Sequence, residues 1–198
     1  MRIGPLTVVL IALSVVVAIW SSLGDNDEVV SRLFITATNE GFSLPEISHG
    51  EVWRLITPIF IHFGVAHLIF NMLWLKDLGT AIEKIAGTPS FLELVLTSGV
   101  ASNFAQFAFH GPFFGGMSGV VYALFGYVWM KAKFDPACGL RLESNTIMWM
   151  IGWFVVCLTG VIGPVANYAH GVGLVIGMAW GFGSAKSSLE RSRERLEV

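Results

Sequence analysis

Six apolar stretches recur along the chain, from Pro5 to Trp20, Val65 to Ile82, Phe91 to Phe109, Ser118 to Met130, Thr146 to Ile162 and Tyr168 to Ser184, with charged residues gathered between them. Most come near the roughly 20 residues that a helix needs to cross hydrocarbon. The pattern predicts an all-α membrane protein with six transmembrane helices and a long external loop between the first two. The opening stretch follows one Arg and lacks a small-residue cleavage signature, so a retained helix is expected rather than a removed signal peptide. Composition agrees, with 54% hydrophobic residues, 13% charged residues and a mean hydropathy of +0.68, far from an ordinary soluble domain.

Charge placement orients this predicted bundle. Arg2, Lys76, Lys84, Lys131, Lys133, Arg141, Lys186, Arg191, Arg193 and Arg195 lie at the ends or after the second and fourth stretches, whereas Arg32 and Arg54 fall in the first connection. The positive-inside rule then puts both termini in the cytoplasm and the 23–60 connection outside. Residues 1–198 read as a single domain ending in a polar cytoplasmic tail over 186–198, interfacial or disordered. A net charge of -2 offers no cationic field for nucleic acid. Cys138 and Cys157 fall in an inside loop and a span, so no structural disulfide is expected. Trp53 and Arg54 suit either an interfacial anchor or a specific structural role near the site.

The fourth stretch is anomalous. A helix from Ser118 to the inside charge Lys131 rises only about 20 Å, short of a hydrocarbon core of about 30 Å. Its start is expected within the membrane, preceded by non-helical backbone through Gly111-Pro112-Phe113-Phe114-Gly115-Gly116-Met117. Glycines allow close backbone approach there, and free N–H groups at a helix start favour developing negative charge. Those are the needs of a serine nucleophile, although Gly116-x-Ser118-Gly119 also serves tight helix packing.

Three more polar residues share the predicted depth: His67, Asn71 and His170. Each has a bland alternative alone, as helix glue, a carbonyl cap or a satisfied loop group. Glu93, an acid inside an apolar stretch, lies at the far end of its span. A Ser–His dyad is therefore favoured over a triad. Tyr122, one turn after Ser118, can stack on His170 or merely fill a gap. His62 and His67 lack the His-Glu-x-x-His spacing and nothing favours His110 as a third ligand, so no metal and no other cofactor is expected.

With Trp53-Arg54-x-x-Thr57-Pro58, His62-x-x-x-x-His67-x-x-x-Asn71, Gly116-x-Ser118-Gly119-x-x-Tyr122 and Ala169-His170-x-x-Gly173-x-x-x-Gly177 in this order, the chain resembles the rhomboid intramembrane serine proteases, in particular the compact bacterial GlpG-type branch without an added cytoplasmic domain. The resemblance implies a six-helix rhomboid core in the bacterial inner membrane and a cavity open to the external side. It implies Ser118 and His170 as catalytic dyad, Asn71, His67 and the Ser118 N–H as oxyanion hole, and Tyr122, Gly116 and Gly119 in support. It also suggests Phe70 and Trp153 at a lateral substrate gate. The expected activity is endoproteolysis in or next to transmembrane segments of membrane-anchored proteins, with membrane lipid as the other partner and the oligomeric state open. A solute pathway through broken helices and a noncatalytic binding protein of the same fold are the competing classes. Gly173, Gly177 and Gly181 are expected to pack span six against Gly119, Ala123 and Gly126 of span four.

Overall fold

The computed structural model describes residues 2–39 and 41–194. Helix α1 spans Pro5–Trp20, α2 Asp27–Leu33, α3 Pro45–Ser48, α4 Val65–Trp74, α5 Thr80–Ala86, α6 Thr88–His110, α7 Ser118–Phe134, α8 Ser144–Leu158 and α9 Asn167–Glu194. A π-helical turn, Leu75–Gly79, joins α4 to α5. The apolar stretches thus become helices near their expected bounds. The tail is helical through Glu194; residues 195–198, at the end of that expected tail, lie outside the described residues.

No described helix is long and apolar enough to cross a membrane. This overturns the six-transmembrane-helix core, the multi-pass inner-membrane location with cytoplasmic termini and an externally open site, and cleavage inside a bilayer. The reason lies in how the apolar stretches fold. Helices α1, α7 and α8 have 16, 17 and 15 residues, so they rise only about 22–26 Å. The second stretch is divided into α4, the π turn and α5. The longer α6 and α9, of 23 and 28 residues, include Glu93, Ser98, Ser102, Asn103 and Gln106 in one, and His170 and a charged C-terminal end in the other. Large apolar side chains nevertheless face outward, among them Val16, Ile19, Ile69, Trp149 and Val175.

Helix α7 is the centre. Every residue from Gly119 to Val128 is buried, as expected of a helix that is apolar all round and enclosed on all sides. Helix α9 packs beside it through glycines. A Cβ at Gly173 would run into the Gly119 carbonyl, one at Gly177 into that of Ala123, and one at Gly181 into that of Tyr127. The expected small-residue face is therefore present as a backbone-to-backbone seam. At its far end Lys131 Nζ, on α7, binds the Asp135 carboxylate (2.8 Å) and the Ser184 carbonyl of α9 (3.0 Å).

Two helix ends borrow their caps from distant elements. Gly4 offers no side chain to α1, and Glu83 of α5 accepts from Leu6 N–H (2.8 Å), Thr7 N–H (3.0 Å) and Thr7 Oγ1 (2.9 Å) instead. In the first connection, buried Arg54 donates from Nη1 to the Ser31 and Phe34 carbonyls (2.7 and 2.9 Å), and Thr57 Oγ1 donates to Leu33 O (2.8 Å). These bonds satisfy carbonyls at the C-terminal end of α2 that the helix cannot pair itself. Arg54 therefore has a structural role at the end of α2, while the Trp53 ring stays half-exposed at 51%.

Candidate active site

The segment before Ser118 is non-helical, as the sequence anticipates, and is pinned from the first connection. Gly116 N–H donates to Pro58 O (3.0 Å), and Met117 N–H points at His62 Nε2 (3.5 Å). His62 is fully buried and its Nδ1–H donates to Phe60 O (3.0 Å). Its second nitrogen is therefore the acceptor, which requires a neutral ring. Burial supplies that neutrality, with His67 nearby adding to it, by pushing the His62 pKa down to about 4.

Gly116 has φ 126° and a Cβ there would meet His67 Nε2 at 2.7 Å. Both backbone conformation and space therefore require glycine. Gly119 is confined on the other side, where a Cβ would sit 2.8 Å from Ser102 Cβ and 3.3 Å from the Ala169 carbonyl. These two glycines let α7 begin between α4, α6 and α9, and Ser118 is its first residue. Its N–H belongs to the helix-start donors that have no intrahelical acceptor.

Across the seam, His170 Nε2 lies 2.7 Å from Ser118 Oγ. His170 is buried, and Nδ1 has no hydrogen-bond partner among the described residues. The imidazole is held by rings: Tyr122 at 4.7 Å between centroids and Phe154 at 6.3 Å. Burial, reinforced by His67, pushes its pKa down to about 4, so at neutral pH it has a free lone pair for the serine proton.

The other expected residues are placed unequally. His67 accepts from Phe63 N–H at Nδ1 (3.3 Å), so its proton is on Nε2, the atom against Gly116. Asn71 is buried and gives one amide N–H to the His67 carbonyl (2.9 Å). Phe70 and Trp153 are 61% and 52% exposed, and no ring contact joins them among the described residues. Sequence reasoning passed over two members of this surround, Phe154 and Gln106. Gln106 had a signal: Ser98, Ser102, Asn103 and Gln106 repeat at helical spacing through an apolar stretch, and all four are buried.

Residues 49–187 match the family model described as the rhomboid domain. The chain is 36% identical over 192 residues to the rhomboid protease GlpG of Salmonella paratyphi A, covering 96% of this chain and 67% of that protein. The proteins of that name from Salmonella choleraesuis and Salmonella typhi are also 36% identical, with the same shares covered.

Proposed function

The chain belongs to the rhomboid family and is a serine endopeptidase of the rhomboid type, and from that premise we propose that Ser118 is its nucleophile and His170 its general base. The observation that carries the assignment is the 2.7 Å contact between Ser118 Oγ and His170 Nε2 at the start of a buried helix. The hydroxyl proton moves to Nε2 as Oγ attacks the scissile carbonyl. Three donors converge on the resulting oxyanion in this reading: the Ser118 N–H, His67 Nε2–H and the second amide N–H of Asn71, each acting where charge develops. His170 then returns the proton to the leaving amine, and water hydrolyses the acyl-enzyme.

Among the described residues no carboxylate steadies the imidazolium. The Tyr122 ring stands in for it, because a cation against an aromatic face is stabilised by about 0.5–2 kcal/mol. Gly116 and Gly119 serve by their lack of a side chain. Phe70 and Trp153 are assigned no step. Family membership implies membrane-anchored protein substrates, and we take that class as the substrate.

The test compares wild type with Ser118→Ala and His170→Ala on an anchored protein substrate whose cleavage site is mapped, with folded fraction measured for each. Both variants keep their helical content and lose turnover by about six orders of magnitude, as serine hydrolases do when the nucleophile or the base of the unit is removed. Fluorophosphonate labelling of wild type disappears in Ser118→Ala. Labelling or turnover that survives in folded Ser118→Ala places the nucleophile elsewhere.

A further inference from the structure

Helix α6 carries a ladder of buried polar side chains whose partners show what the helix is for. Ser98 Oγ folds back onto its own helix at the Leu94 carbonyl (2.6 Å). Asn103 Nδ2 leaves the helix and donates to Leu55 O in the first connection (2.9 Å). Gln106, 1% exposed, leaves it on another side: its Oε1 accepts from Tyr168 N–H (3.1 Å) and Ala169 N–H (3.3 Å). These are donors of the first turn of α9, which opens at Asn167 after Ala166. Ala166 has no side-chain acceptor, so α9 cannot be capped by the residue that precedes it. The amide of Gln106 supplies the cap from more than sixty residues away.

The residue after those two capped peptides is His170, whose own N–H closes on Ala166 O (3.1 Å). We propose that Gln106 is a positioning residue for the reaction: by holding the peptide planes of residues 168 and 169 it fixes where α9 begins, and with it the reach of His170 to Ser118. The inference rests on the dyad reading above. Its physical basis is that the two partners of the dyad sit at the starts of two different helices, α7 and α9. Gly119 and Gly173 bring those starts together, and a Cβ at Gly119 would already meet the Ala169 carbonyl at 3.3 Å, so the first turn of α9 lies directly against the start of α7 and a shift in it is felt at the dyad. A released turn would move the imidazole by a fraction of an ångström to one ångström, and a displacement of that size costs up to about a hundredfold in rate.

The experiment compares Gln106→Met, which keeps the length and removes the acceptor, with Gln106→Glu, which keeps an acceptor oxygen in either protonation state. For each, folded fraction, kcat and KM on the anchored substrate, and the rate of Ser118 modification by a fluorophosphonate are measured. In Gln106→Met, kcat and the modification rate both fall by about tenfold or more while KM stays within about twofold. In Gln106→Glu both recover to within about threefold of wild type. A merely structural amide would lower folded fraction without this split. Gln106→Met that is folded and within about twofold of wild-type kcat overturns the proposal, as does a loss confined to KM. If Gln106→Met does not fold, Gln106→Glu decides alone, and a loss beyond about threefold in its folded fraction overturns the proposal. Failure of the dyad reading shows itself separately, as labelling that persists in Ser118→Ala.

Discussion

Helices α7 and α9 approach until backbone meets backbone, whereas α8, equally apolar in sequence, keeps most of its surface outward. In the seam, Gly173, Gly177 and Gly181 recur every fourth residue, and each faces a carbonyl of α7. On α8, Met148, Trp149, Trp153, Val155 and Leu158 are exposed, and Met150 and Cys157 are its buried residues. Two interhelical hydrogen bonds hold α8 among the described residues: Tyr122 Oη–H to Met150 O (3.1 Å) and Asn167 Nδ2 to Cys157 O (3.1 Å). The difference tracks the chemistry. Ser118 and His170 stand on opposite sides of the seam, so its rigidity sets their distance, while α8 reaches the dyad through Tyr122, Phe154 and the start of α9.

The comparison breaks first at Gly177. Gly177→Leu drives a branched side chain into the Ala123 backbone, where there is no flexible neighbour to yield. Overpacking costs about 1–3 kcal/mol when side chains can shift and more when they cannot. The expected result is a fall in thermal midpoint together with loss of turnover. A Gly177→Leu protein with wild-type melting and wild-type kcat would show that the seam does not govern the dyad.

The next largest effect is expected at the other end of the seam. Lys131 and Asp135 are both buried, at 6% and 4% side-chain exposure, so Lys131→Met leaves the Asp135 carboxylate without its cation, with the Ser188 hydroxyl still bonded to it, and costs up to about 3–5 kcal/mol. Adding Asp135→Asn to Lys131→Met should recover much of it in a denaturant titration. The ion pair also predicts a pH dependence. The bond from Lys131, the largest cause, holds the Asp135 carboxyl below the usual carboxylate range. The carboxylate therefore contributes fully above the unfolded value, and the contribution is lost as pH falls through the lower folded one. Lys131→Met removes that acid-side loss; an unchanged acid limb would mean the pair contributes nothing.

These contrasts also mark what the sequence made legible. Periodicity located the helices, because apolar runs bounded by charge are a local property, and α1 begins and ends where expected. The start of α7 at Ser118 was legible for the same reason: glycines and Pro112 forbid an earlier helix. What was misread is the crossing of a membrane, since apolar length in sequence is not helix length, and a π turn at Leu75–Gly79 and an early stop at Leu158 shorten the pieces. Long-range polar bonds were invisible. Glu83 capping α1 and Gln106 capping α9 join residues 62 to 77 positions apart, and no spacing rule connects such partners. Arg54 lay between, its motif legible and its role left open until its bonds to the Ser31 and Phe34 carbonyls were seen.

The smallest expected effect separates the two regions most finely, because Tyr122 belongs to both. Its ring lies 4.7 Å from the His170 ring, and its hydroxyl donates to the Met150 carbonyl of α8. Tyr122→Phe keeps the first contact and removes the second. Met150 O sits inside α8 and retains its intrahelical partner, so the loss is that of a single neutral hydrogen bond, about 0.5–1.5 kcal/mol, or about 1–6 °C in thermal midpoint for a chain of this size. If the ring is what steadies the imidazolium, kcat falls by no more than about threefold in Tyr122→Phe and by about tenfold or more in Tyr122→Ala, where the face against His170 is gone. Steady-state rates on one substrate at one pH, corrected for folded fraction, decide between them. Equal losses in the two variants would shift the role from ring to hydroxyl. The attachment of α8, not the seam alone, would then set the geometry of the dyad.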